Sequence, residues 1–331
     1  MKTAQVSPSE MANYIGRFSA SEPSPTDASG RKLSSGALRP VLAADGAPVK
    51  SWPGLSMTIA ECPPGSASNE ILHPHAMHTL FCLSDELEIA VGGTTPRRVV
   101  LRFCDTLTLP PEAPYSFRNT SAADAQLLLI DQTDDYGTHT VGALPVAQAE
   151  FRNLVAYQDS FKDVNAIISK VTMQISARKV FPVMIPGNLK GRNEAAPLRG
   201  WPGVSLSLCE CPPGNGASPH MHVSTREQFV CVRGTFDVIW GDDAEHRLEL
   251  EPLDFVAMPP GIMRGFCNTS NEMGYLLVVI QGDAQMTDTT AIFPELLQEL
   301  EEKFGPGVEE ALARIKIRVD AERSSAPRLP A

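Results

Sequence analysis

The sequence predicts a mainly β protein that contains two antiparallel β-barrels, with peripheral helices and a helical segment after the second barrel. Three observations lead to this prediction. One unit occurs twice in the chain, apolar and polar residues alternate inside each unit, and clusters of glycine and proline separate the alternating runs. The 331 residues are enough for two domains that each bury a core.

The repeat is an internal duplication. Residues 52–134 align without gaps with residues 201–283 at a constant offset of 149, and 25 of the 83 positions are identical. A gapless match of this length identifies two copies of one unit. Each residue of the first copy therefore has a twin in the second, and the positions at which twins differ are where chemistry has been gained or lost. The identical runs are Trp52-Pro53-Gly54 with Trp201-Pro202-Gly203, Glu61-Cys62-Pro63-Pro64-Gly65 with Glu210-Cys211-Pro212-Pro213-Gly214, Pro110-Pro111 with Pro259-Pro260, and Asn119-Thr120-Ser121 with Asn268-Thr269-Ser270.

Alternation with a period of two predicts strands in both copies. Leu55, Met57 and Ile59 alternate with smaller or polar residues, and their twins behave in the same way. A period of two places one face of a strand in a core. Many short strands with turn signals at regular spacing are typical of an antiparallel sandwich or barrel.

Composition excludes several classes of partner. The formal charge of −11 and the pI of about 5.2 argue against nucleic acid and anionic membranes. The longest apolar runs are of strand length, and the first residues lack the apolar segment of a signal peptide. Seven cysteines is an odd number, which argues against a full disulfide framework. We expect a soluble cytoplasmic protein.

A group of potential metal ligands occurs in the second copy. His220 and His222 are two residues apart, so on a strand they point to the same side, and Glu227 follows five residues later. This pattern resembles the cupin superfamily, whose first motif is two histidines one residue apart, then a glutamate after four more residues, then a glycine. The resemblance covers both copies and implies a bicupin, in which each barrel is a double-stranded β-helix (jelly roll) and these residues hold a divalent metal inside the barrel.

The second cupin motif departs from the family at one position. The family has Pro-x-Gly, two residues, a histidine, three residues and an asparagine, and the histidine falls on Arg264 here. A guanidinium has no lone pair to donate to a metal. Two histidines and one carboxylate remain, which is the ligand set of non-haem Fe(II) oxygenases with open coordination positions. We expect Fe(II), with Mn, Zn or Ni as alternatives, and a catalytic role for Arg264. The alternative is a residual His-x-His pair in a barrel that has lost its metal.

The first copy lacks a complete ligand set. His73 is kept, but the carboxylate position holds His78 and the position of Arg264 holds Tyr115. We expect a degenerate site, with metal binding at His73 and His78 as the weaker alternative. Tyr115 is predicted either to line a substrate pocket or to fill the core.

A more specific resemblance concerns the large subunit of hydroquinone ring-cleaving dioxygenases, bicupins in which an arginine also follows Pro-Pro-Gly. It implies Fe(II), dioxygen and a small phenolic substrate, with Phe266 beside the substrate and Arg264 stabilising negative charge. Two other functions stay open: a metal-dependent isomerase or decarboxylase of a small carboxylate, and a non-catalytic small-molecule-binding cupin. A homodimer or hetero-oligomer is expected in each case.

These inferences divide the chain into five parts. We expect an N-terminal arm, the first barrel, a helical linker, the second barrel with the metal site, and C-terminal helices with a tail. Helical spacing occurs at 147–156, 160–171, 293–304 and 308–317, and residues 19–35 are expected to be loose or to lie against another subunit. The predicted bounds are 1–35, 36–140, 141–195, 196–290 and 291–331.

Overall fold

The computed structural model describes residues 1–43, 46–50, 52–133, 145–156, 178–187, 195–283, 289–314 and 317–324. Within these ranges the protein is built from strands that form two barrels, as the sequence predicts. The strands of the first half are β1 (Ile15–Gly16), β2 (Ala37–Ala43), β3 (Val49–Lys50), β4 (Leu55–Cys62), β5 (Ala76–Cys82), β6 (Glu86–Val91), β7 (Arg97–Arg102), β8 (Thr106–Leu109), β9 (Tyr115–Arg118), β10 (Ala125–Thr133) and β11 (Ala147–Ala149).

The second half contains the corresponding set, followed by two further short strands and two helices. Its strands are β12 (Lys179–Pro186), β13 (Leu198–Gly200), β14 (Val204–Cys211), β15 (Gly216–His222), β16 (Arg226–Arg233), β17 (Phe236–Trp240), β18 (His246–Leu250), β19 (Phe255–Met258), β20 (Arg264–Asn268), β21 (Gly274–Gln281), β22 (Thr290–Ala291) and β23 (Ile317–Arg318). The helices are α1 (Pro8–Met11), α2 (Pro294–Phe304) and α3 (Val308–Arg314), with 3₁₀ turns at Ala12–Tyr14, Phe18–Ala20 and Phe151–Asn153.

Equivalent strands follow the same order in the two barrels. In the first barrel the large sheet runs β11-β8-β5-β10-β4-β2-β3, and the smaller sheet is β7-β6-β9. In the second barrel the large sheet runs β1-β19-β16-β21-β14-β12-β13, and the smaller one is β18-β17-β20-β15-β22-β23. The duplication seen in the sequence is therefore also a duplication of topology.

The large sheets of the two barrels pack against each other. One apolar cluster contains residues of both, including Met57 and Leu128 from the first barrel and Leu206 and Leu277 from the second. Sheet-on-sheet burial of this kind is the usual way in which two β layers share a core. The barrels are thus joined through a continuous apolar interface.

Twin hydrogen bonds at the edge of this interface relate the barrels by a pseudo-two-fold axis. Gln132 donates its side-chain amide to the carbonyl of Pro202 at 2.6 Å, and its twin Gln281 donates to the carbonyl of Pro53 at 2.9 Å. The two prolines are also twins. The repeated Trp-Pro-Gly turns are therefore anchored reciprocally, each by the opposite barrel.

The N-terminal arm contacts both barrels. Residues up to Gly16 pack on the second barrel, where β1 pairs with β19, and Ser24 pairs with Leu38 of the first barrel. Arg31 is 2 % exposed. The prediction of a loose segment at 19–35 is wrong, because buried ion pairs of Arg31 fix it to the first barrel.

The segment between the barrels differs from the predicted helical linker. Residues 147–149 form β11 at the edge of β8, residues 151–153 form a 3₁₀ turn, and residues 179–186 form β12. At residues 147–149, pairing with an existing sheet edge overrides the helical spacing. The second barrel accordingly begins before residue 196, and the predicted helix at 160–171 lies outside the described residues.

The helices after the second barrel follow the prediction closely. Helix α2 begins at Pro294, which has no N–H to leave unsatisfied, and ends before Gly305 at φ 87°. Helix α3 follows from Val308 to Arg314. Strand β22 brings this part of the chain against β15, at the rim of the second barrel.

Candidate metal centre

Strand β15 carries both histidines of the second copy, and two glycines bring it close to β20. A Cβ atom at Gly216 would lie 1.8 Å from the carbonyl oxygen of Phe266, and one at Gly265 would lie 2.5 Å from the carbonyl oxygen of Ala217. Only glycine permits this approach. It places His220 directly across from Arg264, so Arg264 occupies the cross-strand position of the family's missing ligand.

The corresponding strand of the first barrel has been reduced to isolated bridges. The twin pairs Ala67 with Arg118 and Ile71 with Tyr115 still meet, but no continuous strand forms there among the described residues. The twins of the two glycines are Ala67 and Ser116, which carry the Cβ atoms that the close approach excludes. Loss of the glycines gives a physical reason why the first barrel lacks the ligand-bearing strand.

The three predicted ligands converge in the second barrel. His222 Nε2 lies 3.6 Å from Glu227 Oε1, and His220 Nε2 lies 4.0 Å from Glu227 Oε2. One ligand atom from each residue lies within 4.8 Å of the others. No other group of three histidine, cysteine or acidic residues in the described ranges has this geometry.

Hydrogen bonds outside this cluster orient both imidazoles. His220 Nδ1 lies 2.8 Å from the carbonyl oxygen of Ser218, and His222 Nδ1 lies 3.3 Å from Thr225 Oγ1. A carbonyl only accepts, so His220 donates from Nδ1 and its Nε2 keeps a lone pair. Metal-binding histidines are typically held through the second ring nitrogen in this way. The donor set therefore fits a divalent metal held by His220, His222 and Glu227.

Arg264 is joined to the same carboxylate. Its Nε donates to Glu227 Oε2 at 2.9 Å, and its Nη1 donates to the carbonyl of Ile262 at 3.1 Å. The side chain of Arg264 is fully buried. The ion pair with Arg264 engages Oε2 of Glu227. The other oxygen of this carboxylate, Oε1, is the one nearer to the His222 imidazole.

The electrostatics of the cluster keep Glu227 and His220 in the forms that bind metals. Burial alone would raise the pKa of Glu227, but the Arg264 guanidinium and the two histidines outweigh it and lower the pKa to about 2. Burial lowers the pKa of His220 to about 3, against the attraction of Glu227. At neutral pH the site therefore presents a carboxylate and a neutral imidazole, the forms that bind metals.

Phe266 lies in an aromatic layer beside the ligands. It follows Arg264 by two residues on β20, as Phe229 follows Glu227 on β16, and the two rings meet edge to face at 5.2 Å. Phe266 is 3 % exposed. The His220 side chain, in contrast, is 17 % exposed and marks the side of the cluster that is open to solvent.

The interior of the first barrel holds a different network. His78 Nδ1 lies 2.6 Å from Asp131 Oδ1, and Arg31 donates to both oxygens of Asp131 at 3.0 and 2.5 Å. Arg31 also pairs with Asp27 at 2.6 Å. Burial would raise the pKa of Asp131, but Arg31 and His78 hold it well below its usual range. A buried arginine and its acidic partners thus replace the metal ligands here.

The other predicted residues of the first barrel surround this network. The ring of His78 lies 4.8 Å from that of His73 and 5.1 Å from that of Tyr115. Tyr115 and His78 are each 1 % exposed, so side chains fill the space between them. The structure brings His73, His78 and Tyr115 together, and the carboxylate beside them, Asp131, is bound by Arg31.

Two comparisons with known proteins agree with this architecture. A family model described as a cupin domain matches residues 207–280, which span the ligand strands of the second barrel. Oxalate decarboxylase from Lactobacillus farciminis, solved as a formate complex, superposes with a TM-score of 0.58 at 14 % identity, over 94 % of this chain and 97 % of that one.

The chain has a bicupin fold. Oxalate decarboxylase from Bacillus subtilis superposes with a TM-score of 0.53 at 13 % identity, over 90 % of this chain and 85 % of that one. Protein YlbA from E. coli gives a TM-score of 0.52 at 11 % identity, over 79 % and 94 %. At such identities the likeness concerns the fold of this bicupin alone. Among curated proteins, none matches the sequence significantly.

Several residues of the two interiors could not be found from motifs. Thr225, Asp131 and Arg31 belong to no cupin motif, although Thr225 contacts His222, Asp131 contacts His78, and Arg31 joins that network through Asp131. The sequence does contain one signal for Asp131. This acidic residue interrupts an apolar strand, whereas its twin in the second copy is the apolar Ile280. Arg31 gave no such signal, since it lies in a polar segment distant in sequence. In the described part of the bicupin, no helix is long and apolar enough to cross a membrane.

Proposed function

We propose that this bicupin is a metal-dependent enzyme that acts on a small molecule in its second barrel, and specifically a non-haem Fe(II) dioxygenase of a small phenolic substrate. The observation that carries the proposal is the convergence of two oriented imidazoles and one ionised carboxylate. Three protein ligands on one side of an ion leave coordination positions for substrate and dioxygen. His220, His222 and Glu227 are the proposed ligands.

The chain's own residues would prepare the substrate. Bound iron would supply Lewis acidity and a meeting point for the phenol oxygen and dioxygen. Arg264 would then place a positive charge beside the substrate oxygen and favour its ionised form, since its guanidinium is already fixed by Glu227 and Ile262. The Phe266–Phe229 layer would exclude water from one side.

The arginine also explains how a cation can lie near a metal. Glu227 has two carboxylate oxygens, and the ion pair with Arg264 engages Oε2, while Oε1 lies 3.6 Å from His222 Nε2. One carboxylate would thus serve the metal with one oxygen and the guanidinium with the other. We propose that Arg264 lowers metal affinity and in exchange recognises an anionic oxygen of the substrate.

A second candidate is a decarboxylase of a small carboxylate. The buried Arg264 guanidinium favours it, because this group pairs well with a carboxylate. Two of the superposed bicupins are oxalate decarboxylases, one of them solved with formate. An isomerase or a non-catalytic binding protein would use the same site, so the reaction decides between these functions.

The first test measures the metal content of the protein. Protein purified without a histidine tag is reconstituted with Fe(II) under anaerobic conditions, and bound metal is measured. We expect about one ion per chain in the wild type and in His246→Ala, a histidine outside the site, and none in His222→Ala. Equal metal in all three proteins, or none in the wild type, would refute the metal site.

The second test separates the reactions. Oxygen uptake is followed with catechols, hydroquinones and hydroxybenzoates, and carbon dioxide release with oxalate and related small acids. Stoichiometric oxygen uptake on a phenol supports the dioxygenase. Carbon dioxide release without net oxygen uptake supports the decarboxylase instead, and metal binding without turnover on either panel supports the binding protein.

A further inference from the structure

The first and last described segments of the chain pack together against the strand that carries both candidate metal-binding histidines. This assembly, which we call the terminal clasp, consists of residues 1–6, 289–293 and 317–324. Its parts are joined by backbone hydrogen bonds, since Thr3 donates to the carbonyl of Glu322 and Ile292 donates to that of Arg318, both at 2.9 Å. Strand β22 of the clasp pairs with β15. The clasp therefore extends the small sheet of the second barrel beyond its ligand-bearing strand.

The clasp supplies the sheet pairing for the part of β15 that carries His222. On its other side β15 pairs with β20, but that pairing is irregular before His220 and ends there. The next two residues pair with β22, Met221 with Ala291 and His222 with Thr290. Within the described ranges, the sheet partner of His222 therefore belongs to the clasp.

Met221 lies between the two histidines and points in the opposite direction. Successive residues of a strand point to opposite faces, so His220 and His222 face the barrel interior and Met221 faces outwards. Met221 is nevertheless only 1 % exposed. The other buried members of its apolar cluster are Met263 from the barrel and Ala291, Phe293 and Ala321 from the clasp. Burial of the outer face fixes the rotation of the strand about its axis, and with it the direction of both imidazoles.

The corresponding segment of the first barrel is uncovered on this face. The twin of Met221 is Leu72, which is 58 % exposed. A backbone bond inside the barrel is kept in both copies, since Gly261 donates to the carbonyl of His222 at 2.8 Å and the twin bond in the first barrel is 3.0 Å long. The twins thus differ in the cover on the outer face. The buried anchor occurs in the copy that also keeps the complete ligand set.

We propose that Met221 is a positioning residue for the two metal-binding histidines, and that the terminal clasp holds it in place. The inference rests on the proposed metal centre and is independent of the reaction that takes place there. A metal requires its ligand atoms at fixed distances, so groups outside the ligand set that restrict the ligands raise the affinity. Ser218 and Thr225 restrict the rings of the two histidines, and the clasp restricts the backbone that carries them.

The test compares metal affinity in variants on the two sides of this apolar cluster. Met221→Ala removes the anchor from the ligand-bearing strand, and Phe293→Ala removes an apolar side chain from the clasp. We expect the dissociation constant of Zn(II), measured by competition with a chromophoric chelator, to rise about tenfold in each variant, because the support of the ligands is weakened. Met221→Leu keeps an apolar side chain of similar volume and should bind Zn(II) like the wild type.

Two control variants separate positioning from general stability. Met57→Ala removes a buried methionine from the cluster between the barrels, so it should lower the urea midpoint of unfolding while keeping wild-type metal affinity. Leu72→Ala truncates the exposed twin of Met221 and should change neither quantity. Hydrogen exchange of the metal-free proteins gives a readout that is independent of metal. The amides of residues 220–222 should exchange faster in Met221→Ala and Phe293→Ala, but not in Met57→Ala.

The outcomes distinguish this inference from the proposed function. Metal binding by the wild type, with unchanged affinity in Met221→Ala and Phe293→Ala, would overturn the positioning role and leave the metal centre intact. An equal loss of affinity in Met57→Ala would also overturn it, because general destabilisation would then be the cause. Absence of metal binding in the wild type would refute the metal centre, and the positioning role with it.

Discussion

Replacing Arg264 by histidine would test whether this arginine opposes metal binding. Arg264→His removes a guanidinium next to Glu227 and places an imidazole at the family's fourth ligand position. Both changes should tighten the binding of a divalent metal. The variant should at the same time lose turnover of a phenolic substrate, since no fixed cation would remain beside the substrate oxygen.

The size of the effect follows from the geometry. With a metal about 2.1 Å from Oε1 and Arg264 Nε 2.9 Å from Oε2 of the same carboxylate, the two positive groups lie about 6 Å apart. At that distance a dication and a guanidinium repel each other by roughly 1.4 kcal/mol at the dielectric constant of water, and by more in the protein interior. Since about 1.4 kcal/mol corresponds to a factor of ten, affinity should rise at least about tenfold.

Competition with a chromophoric chelator measures the dissociation constant of Fe(II) under anaerobic conditions, and of Zn(II) in air. Arg98→His makes the same substitution at an exposed arginine and should leave both constants unchanged. Weaker metal binding in Arg264→His would refute the reasoning. Such a result would mean that Arg264 is needed to hold Glu227 in place, and that the repulsion between its guanidinium and the metal is secondary.

Three further predictions concern the residues around the two interiors. Thr225→Val removes the side-chain oxygen next to His222 Nδ1 and should weaken metal binding by about 10–100-fold, whereas Thr225→Ser should restore it, as measured by the same chelator competition. Arg31→Met removes the guanidinium that neutralises Asp27 and Asp131 and should lower the free energy of unfolding in urea by about 3–5 kcal/mol, against about 0.5 kcal/mol or less for Arg98→Met; equal effects would contradict the buried ion pair. The folded-state pKa of Asp131 is depressed, so its contribution is complete above the unfolded value of about 3.9 and is lost as the pH falls below it. The stability gap between wild type and Asp131→Asn should therefore be constant from pH 7 to about pH 5 and shrink below about pH 4, and a gap that widens in acid would show that the sign is wrong.

The fold was predictable because the chain repeats it. A period of two in both copies predicted strands, and the offset of 149 residues predicted that the copies would share one topology, which the two large sheets confirm. The helices after residue 293 were predictable from amphipathic spacing and from the Gly305–Gly307 break. Residues 147–149 and 179–186 were not, because short runs at sheet edges take their conformation from the strand beside them.

The sequence indicated which residues of the second barrel form the candidate site, but it did not indicate which of them are hydrogen-bonded to one another. Spacing placed His220 and His222 on one face, and the family motif placed Glu227 and Arg264 near them. The hydrogen bond between Arg264 and one oxygen of Glu227 depends on side-chain geometry, and the spacing of residues in the sequence does not predict it. The network around Asp131 joins Arg31 to a residue 100 positions away, and contacts at that distance leave no periodic pattern.

The arrangement of the arm has a consequence for biosynthesis. Ile15 pairs with Val256, Ala4 with Gly261, and the carbonyl of Val6 accepts a hydrogen bond from the Trp240 indole. A ribosome makes these first residues more than two hundred residues before their partners emerge. The nascent arm must therefore wait, unpaired, while the first barrel folds. A fragment cut at the apparent domain boundary would expose the free edge of β19, which is a surface prone to association with other chains.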